Sequence, residues 1–113
     1  MFYCHLDSDV FEVVKNGTKT VEVRVYDEKR RSMKVGDEII FLKRPLEVEK
    51  VVTKISGLKV YNNFNELVQD YDIKSLYLEN YTKEEFVKLL GRFYSDEEQE
   101  EYGVVAIEFK KVL

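Results

Sequence analysis

The segment Gly17-Thr18-Lys19-Thr20-Val21-Glu22-Val23-Arg24-Val25-Tyr26 decides the fold. Val21, Val23 and Val25 alternate with Thr20, Glu22, Arg24 and Tyr26. Period-2 alternation of β-branched residues predicts a half-buried strand. Such a strand packs its valines against a core and presents Glu22 and Arg24 together on the opposite face. Lys19 stands three residues before Glu22, so strict alternation places it on the other side. It joins the pair only if the chain twists after Gly17.

Working outward toward the N-terminus, Phe2 to Leu6 reads as a short strand. Asp9 is placed to cap a helix, with Glu12 three residues on as its capping-box partner. Val10, Phe11, Val13 and Val14 give that helix an apolar face, and Asn16-Gly17 stops it. On the C-terminal side, Asp27 to Lys34 is a polar loop carrying Lys29, Arg30 and Arg31 in a row. Val35-Gly36-Asp37 is a turn that opens a strand over Glu38 to Leu42. Glu47 to Tyr61 is rich in β-formers, with a kink or bulge expected at Ser56-Gly57. Three further capping boxes, Asn63/Glu66, Thr82/Glu85 and Ser95/Glu98, each open a helix. Val104 to Val112 is the closing strand. Long bent strands of this kind build small barrels.

The chain has 113 residues, 44% hydrophobic and 35% charged, a composition and length that fit one globular domain over 1–113. The longest apolar run, Gly103 to Ile107, is far short of the roughly 20 residues needed to span a membrane. The N-terminus has no basic region followed by an apolar stretch, so no signal peptide is expected. A lone Cys4 suits a reducing cytoplasm. With one His and one Cys, a structural zinc site is excluded, and no cofactor motif is present. Charge is uneven. Residues 1–60 carry 12 Lys/Arg against 10 Asp/Glu, a net of +2, whereas residues 61–113 carry 6 against 12, a net of −6. An acidic chain is a poor partner for long nucleic acid bound nonspecifically. A basic cleft in the first half still suits one nucleotide or a short RNA segment.

The run Gly17-x-Lys19-x-x-Glu22-x-Arg24 resembles the signature of the ASCH domain family. Further features follow in the family's order: Asp27-Glu28-Lys29, Val35-Gly36-Asp37, Phe41, Tyr61, Phe64-x-Glu66-Leu67, Tyr94-Ser95-x-Glu97-Glu98, and Tyr102 to Glu108. The resemblance implies an α+β, PUA-like fold, with a closed, mixed or antiparallel β-barrel flanked by short helices. It also implies a cleft beside the barrel that binds RNA or a nucleoside. Some small bacterial members resemble amidohydrolases that deacylate N4-acetylcytidine, using a Lys, a Thr three residues later and a Glu before the last long helix. Lys19 matches the Lys and Glu79 the Glu. The Thr position holds Glu22, which has no hydroxyl nucleophile.

Three readings follow. In the first, a binding module uses Gly17, Lys19, Glu22 and Arg24, with Lys29 on phosphate and Tyr26, Tyr61 or Tyr94 stacking on a base. In the second, a small hydrolase uses Lys19, Glu22 and Glu79 as catalytic residues acting on water, with a ribonuclease as a variant. In the third, the acidic second half meets a basic protein partner. The bland alternative for Glu22 and Arg24 is a salt bridge at the barrel mouth. Cys4 and His5, being adjacent on a strand, point to opposite faces and do not form a catalytic pair. Nothing in the sequence fixes an oligomeric state.

Overall fold

Two apolar stripes on one curved sheet organise the chain, as seen in a computed structural model that describes residues 1–78 and 80–112. Five strands, β1 (Phe2–Leu6), β2 (Val21–Val25), β3 (Glu38–Lys43), β4 (Lys50–Tyr61) and β5 (Val104–Lys111), lie in the order β1-β3-β4-β5-β2. β1 runs parallel to β3, and the other pairs are antiparallel. The connection from β1 to its parallel neighbour therefore crosses over. It carries helix α1 (Ser8–Lys15), strand β2 and the single turn α2 (Glu28–Arg31). Four short helices join β4 to β5: α3 (Phe64–Gln69), α4 (Ile73–Leu76), α5 (Lys83–Leu90) and α6 (Asp96–Tyr102).

The concave side of the sheet encloses the first core, where Phe41, Phe109, Ile55 and Ile107 meet Phe11 and Val14 of α1. The opposite side of β2 and β5 carries the second core. There Val21, Val23, Val25, Val104 and Ala106 pack on Phe64, Leu67 and Val68 of α3, with Leu76, Leu78 and Leu90. A strand with a core on each face has little polar surface to spare. β2 obeys this everywhere except at Glu22 and Arg24, which share the concave face with the first core.

The expected closed barrel is an open one. β1 and β2 are the two edges of the sheet, and no ladder joins them among the described residues. The gap is bridged by a side chain instead: Arg24 Nη2 donates to Cys4 Sγ at 3.2 Å. The reason lies in the partners of the edge strands. β1 pairs with β3 alone and β2 with β5 alone, and the charged side chain of Arg24 reaches across the place where a fifth ladder would close the sheet.

Smaller differences have local causes. The cap of α1 is Asp7, not Asp9. Asp7 takes the extended backbone that leaves β1, so the helix begins one residue later, and Glu12 pairs with Lys43 instead of closing a box. The polar loop 27–34 contains the turn α2, whose cap Asp27 accepts from the Arg30 N–H. The bulge in β4 falls between Ile55 and Gly57, as the sequence indicates. The boxes at Thr82/Glu85 and Ser95/Glu98 form in full. At α3 the Asn63 side chain caps Glu66 N–H, while Glu66 reaches back to Asn62 N–H.

Candidate functional site

The side chain of Lys19 is placed by backbone contacts on both sides of it. Gly17, at φ +86°, lets the chain reverse after α1. Lys19 N–H then donates to Val13 O, and Thr20 N–H donates to Ser75 O of α4. Lys19 thus precedes the strand rather than belonging to it, and alternation no longer governs where it points. Its Nζ donates to Val21 O at 2.8 Å and to Leu76 O at 3.1 Å, and lies 3.7 Å from Glu22 Oε1. The required twist is present, and the three charged residues converge.

Glu22 is 8% exposed and Lys19 5% exposed, so this is a buried ionic cluster. Arg24 Nη1 lies 2.8 Å from Glu22 Oε1 and also donates to Val23 O. Val23 N–H donates to the same Oε1 at 3.1 Å. Glu22 Oε2 makes no hydrogen bond among the described residues. Burial pushes the Glu22 carboxyl pKa up, but Arg24 and Lys19 outweigh it and hold it below the ordinary carboxylate range. Lys19 goes the other way: burial lowers its pKa more than Glu22 raises it. Glu22 raises the pKa of Arg24. Burial raises that of Cys4, so the thiol stays protonated against the guanidinium and is a poor nucleophile.

These groups open onto a cleft of about 680 Å³. Such a volume lies within the range of roughly 300–1,000 Å³ typical of small-molecule sites. One wall is β1 and its neighbours, through His5, Asp7 and Arg44. The other is aromatic and apolar, from Phe86, Leu89, Phe93 and Tyr94. Phe93 is 71% exposed and Tyr94 is half-buried, its ring 5.7 Å from that of Phe64.

Of the residues singled out in the sequence, Lys19, Glu22, Arg24 and Tyr94 line this cleft. Gly17 shapes the turn and has no side chain to offer. Lys29 lies on the far side of Arg24, around a small interior hollow of about 30 Å³. Tyr26 packs against the first core under the Arg31 guanidinium, 4.5 Å from its ring centre. Tyr61 hydrogen-bonds Asp70 at 2.6 Å and lines a separate hollow of about 790 Å³. That hollow is walled by Glu66, Asp96, Glu100 and Glu101, whose charge repels phosphate. Glu79 lies outside the described residues. Among those described, no group of His, Cys, Asp and Glu is placed to hold a metal, and no helix is long and apolar enough to cross a membrane.

The sequence reading passed over Arg44, Phe93 and α4. The last had a signal: Asp72-x-x-Ser75 is a cap, and Asp72 Oδ1 accepts from Ser75 N–H at 2.7 Å.

Fold and site together define an α+β protein with an open, mixed-sheet half-barrel and a buried Lys-Glu-Arg cluster at its unzipped seam. The chain belongs to the ASCH domain family, whose model matches residues 5–113. It is similar to the crystal structure of hypothetical protein PH0355, with 38% identity, 98% of each chain covered and a TM-score of 0.84. It is also similar to the solution structure of protein PF0455 from Pyrococcus furiosus, with 30% identity, 99% of this chain and 98% of that one covered, and a TM-score of 0.69. A comparison with curated proteins found no match.

Proposed function

We propose that the cleft binds a nucleobase, presented as a nucleoside or within a short RNA, with Glu22 as the group that reads it. The observation carrying this is the one-sided use of the Glu22 carboxylate. Lys19, Arg24 and Val23 N–H all gather on Oε1. Oε2 is left as an acceptor on a carboxylate fixed in place and ionised at neutral pH. A fixed, charged acceptor favours a ligand with an amino N–H over one presenting a carbonyl. Arg24 retains donors beyond those given to Glu22, Val23 and Cys4, since a guanidinium has five. Phe93 and Tyr94 supply the flat apolar surface on which a base stacks. The family's expected binding of RNA or nucleosides supports the same reading.

Binding is favoured over hydrolysis by what surrounds Lys19. Its Nζ donates to two backbone carbonyl oxygens and lies 3.7 Å from the Glu22 carboxylate, within ion-pair but not hydrogen-bond distance. So placed, the nitrogen serves as a donor that fixes the site rather than as a general base aimed at a ligand.

Titration of labelled protein with cytidine, adenosine, guanosine and uridine, followed by amide chemical shifts, tests the reading. Resonances of β2 and of residues 92–94 should move with the amino-bearing nucleosides. Uridine should bind at least about tenfold more weakly, the scale of one charged hydrogen bond. Arg24→Ala should weaken all of them. No shift with any of the four would sink the proposal. Loss of the acetyl group from N4-acetylcytidine at high protein concentration would instead restore the hydrolase.

A further inference from the structure

The outer face of β1, β3 and the first part of β4 lies outside the second core. Phe2, Cys4 and Leu6 of β1, Ile39 and Phe41 of β3, and Val51 and Ile55 of β4 pack in or against the first core. Their alternates therefore point outward. The second core covers this outer side only over β2, β5 and the last part of β4. Strand register arranges the outward residues in three rows, His5–Leu42–Lys50, Tyr3–Ile40–Val52 and Glu38–Lys54–Lys110, in which Ile40 is buried, Leu42, Val52 and Glu38 are half-buried, and Tyr3 and the three lysines are exposed. Tyr3 is 53% exposed at the centre of one edge.

The charges on this face are unspent. Lys50, Lys54 and Lys110 are exposed and take part in no ion pair or hydrogen bond among the described residues. Lys54 and Lys110 stand directly opposite each other, an arrangement that destabilises a sheet unless an anion relieves it. Glu38, the other neighbour of Lys54, and Glu47, held on His5 at 2.7 Å, are two carboxylates against three ammoniums. Even so, Lys50, Lys54 and Lys110 leave this face positive, in contrast to the net −4 of the chain. His5 belongs both to this face and to the cleft wall, so the two surfaces are continuous across β1.

We infer that a single-stranded RNA with one base in the cleft continues past His5 onto this face, stacking on Tyr3 and placing phosphates on Lys54 and Lys110. The inference rests on the cleft binding a base, and it names the ligand as a strand rather than a free nucleoside. Positive charge interleaved with an exposed ring is the combination that tracks a flexible backbone without reading its sequence. The match of charge and the shared residue His5 favour RNA over an acidic protein segment as the occupant.

The test compares a nucleoside that binds the cleft with a hexanucleotide containing it, by amide shifts and by affinity across a range of salt concentrations. The hexanucleotide should bind at least about tenfold more tightly and move resonances of Tyr3, Val52 and Lys54 as well as those of the cleft. The double variant Lys54→Glu, Lys110→Glu should remove that gain and leave nucleoside binding unchanged. Losing two phosphate contacts should also flatten the slope of log K against log salt by about 1.4, at roughly 0.7 per contact on a single strand. Tyr3→Ala should weaken the hexanucleotide about fivefold or more. Equal affinity for the two ligands, with no shifts on the outer face, would overturn the inference while leaving the cleft reading intact. Absence of cleft shifts with either ligand would remove both. Preferential occupation of the face by an oligoglutamate peptide, competing with the hexanucleotide, would assign it to a protein partner and overturn the inference.

Discussion

Glu22 is the residue on which the site depends. A carboxylate this deeply buried persists as an anion only because two cations and a backbone N–H converge on it. Its pKa is lower in the fold than in the unfolded chain, so between the two values the unfolded state binds more protons. Its stabilising contribution is complete above the unfolded value near 4.5 and is lost as pH falls through the folded value. Lys19 acts in the opposite sense. Burial lowers its pKa in the fold, so it costs stability at neutral pH, and the cost is relieved as pH rises through the folded value toward 10.5. Glu22→Gln leaves two cations without their counter-charge and should cost about 3–5 kcal/mol at pH 7. The deficit relative to the unmodified protein should shrink at pH 3.5, below the ordinary carboxyl value of 4.5, where the unfolded chain takes up a proton that the folded carboxylate resists. Urea unfolding at the two pH values measures this, and an equal deficit at both would show that Glu22 contributes through shape rather than charge.

At the scale of elements, what the sequence disclosed and what it hid divide by range of interaction. The valines of β2, the bulge in β4 and the capping boxes of α5 and α6 are patterns within a dozen residues, and each formed where its pattern lies. Pairing of Glu22 with Arg24 was legible for the same reason, since two residues apart on a strand means one face. Convergence of Lys19 was not, because it depends on Val13 and Ser75, one before the strand and one far after it. The open edge was hidden too: whether β1 meets β2 is decided by every other strand in the sheet. The junction between α6 and β5 is a local feature with a sharp requirement. Gly103 has φ +72° and ψ −177°, a conformation essentially confined to glycine, and an added Cβ would lie 3.1 Å from Tyr61 O. Its carbonyl accepts from Tyr26 N–H at 2.9 Å, so the same residue fixes the end of β2. Gly103→Ala should cost about 1–3 kcal/mol, seen as a fall in Tm of more than about 4 °C. An unchanged Tm would mean that the strand end relaxes without loss.

For the whole molecule, the consequence of an unclosed sheet is an uneven distribution of stability. β5 is paired along both sides, to β4 and to β2, and its side chains belong to both cores. β1 is held by one parallel ladder, the weaker kind of pairing, by its packing on the first core, and across the seam by the contact from Arg24 to Cys4. Opening β1 exposes part of one core, whereas opening β5 exposes both. Amides of β1 should therefore exchange through local opening at lower free energy than those of β5, which should approach the global value. The cleft makes this gradient functional. Its walls come from β1 and Arg44 on one side and from β2 with α5 and the segment after it on the other. A ligand seated between them ties together the two edges that the backbone leaves apart. A nucleoside at about 100 times its Kd should stabilise the bound form by up to about 2.7 kcal/mol. Most of that gain should appear as added protection in β1, because β1 opens while the rest of the fold stays intact. Hydrogen exchange measured with and without ligand reads both effects. Equal protection of β1 and β5 in the free protein would mean the seam is as firm as a ladder and would leave the ligand no edge to fasten.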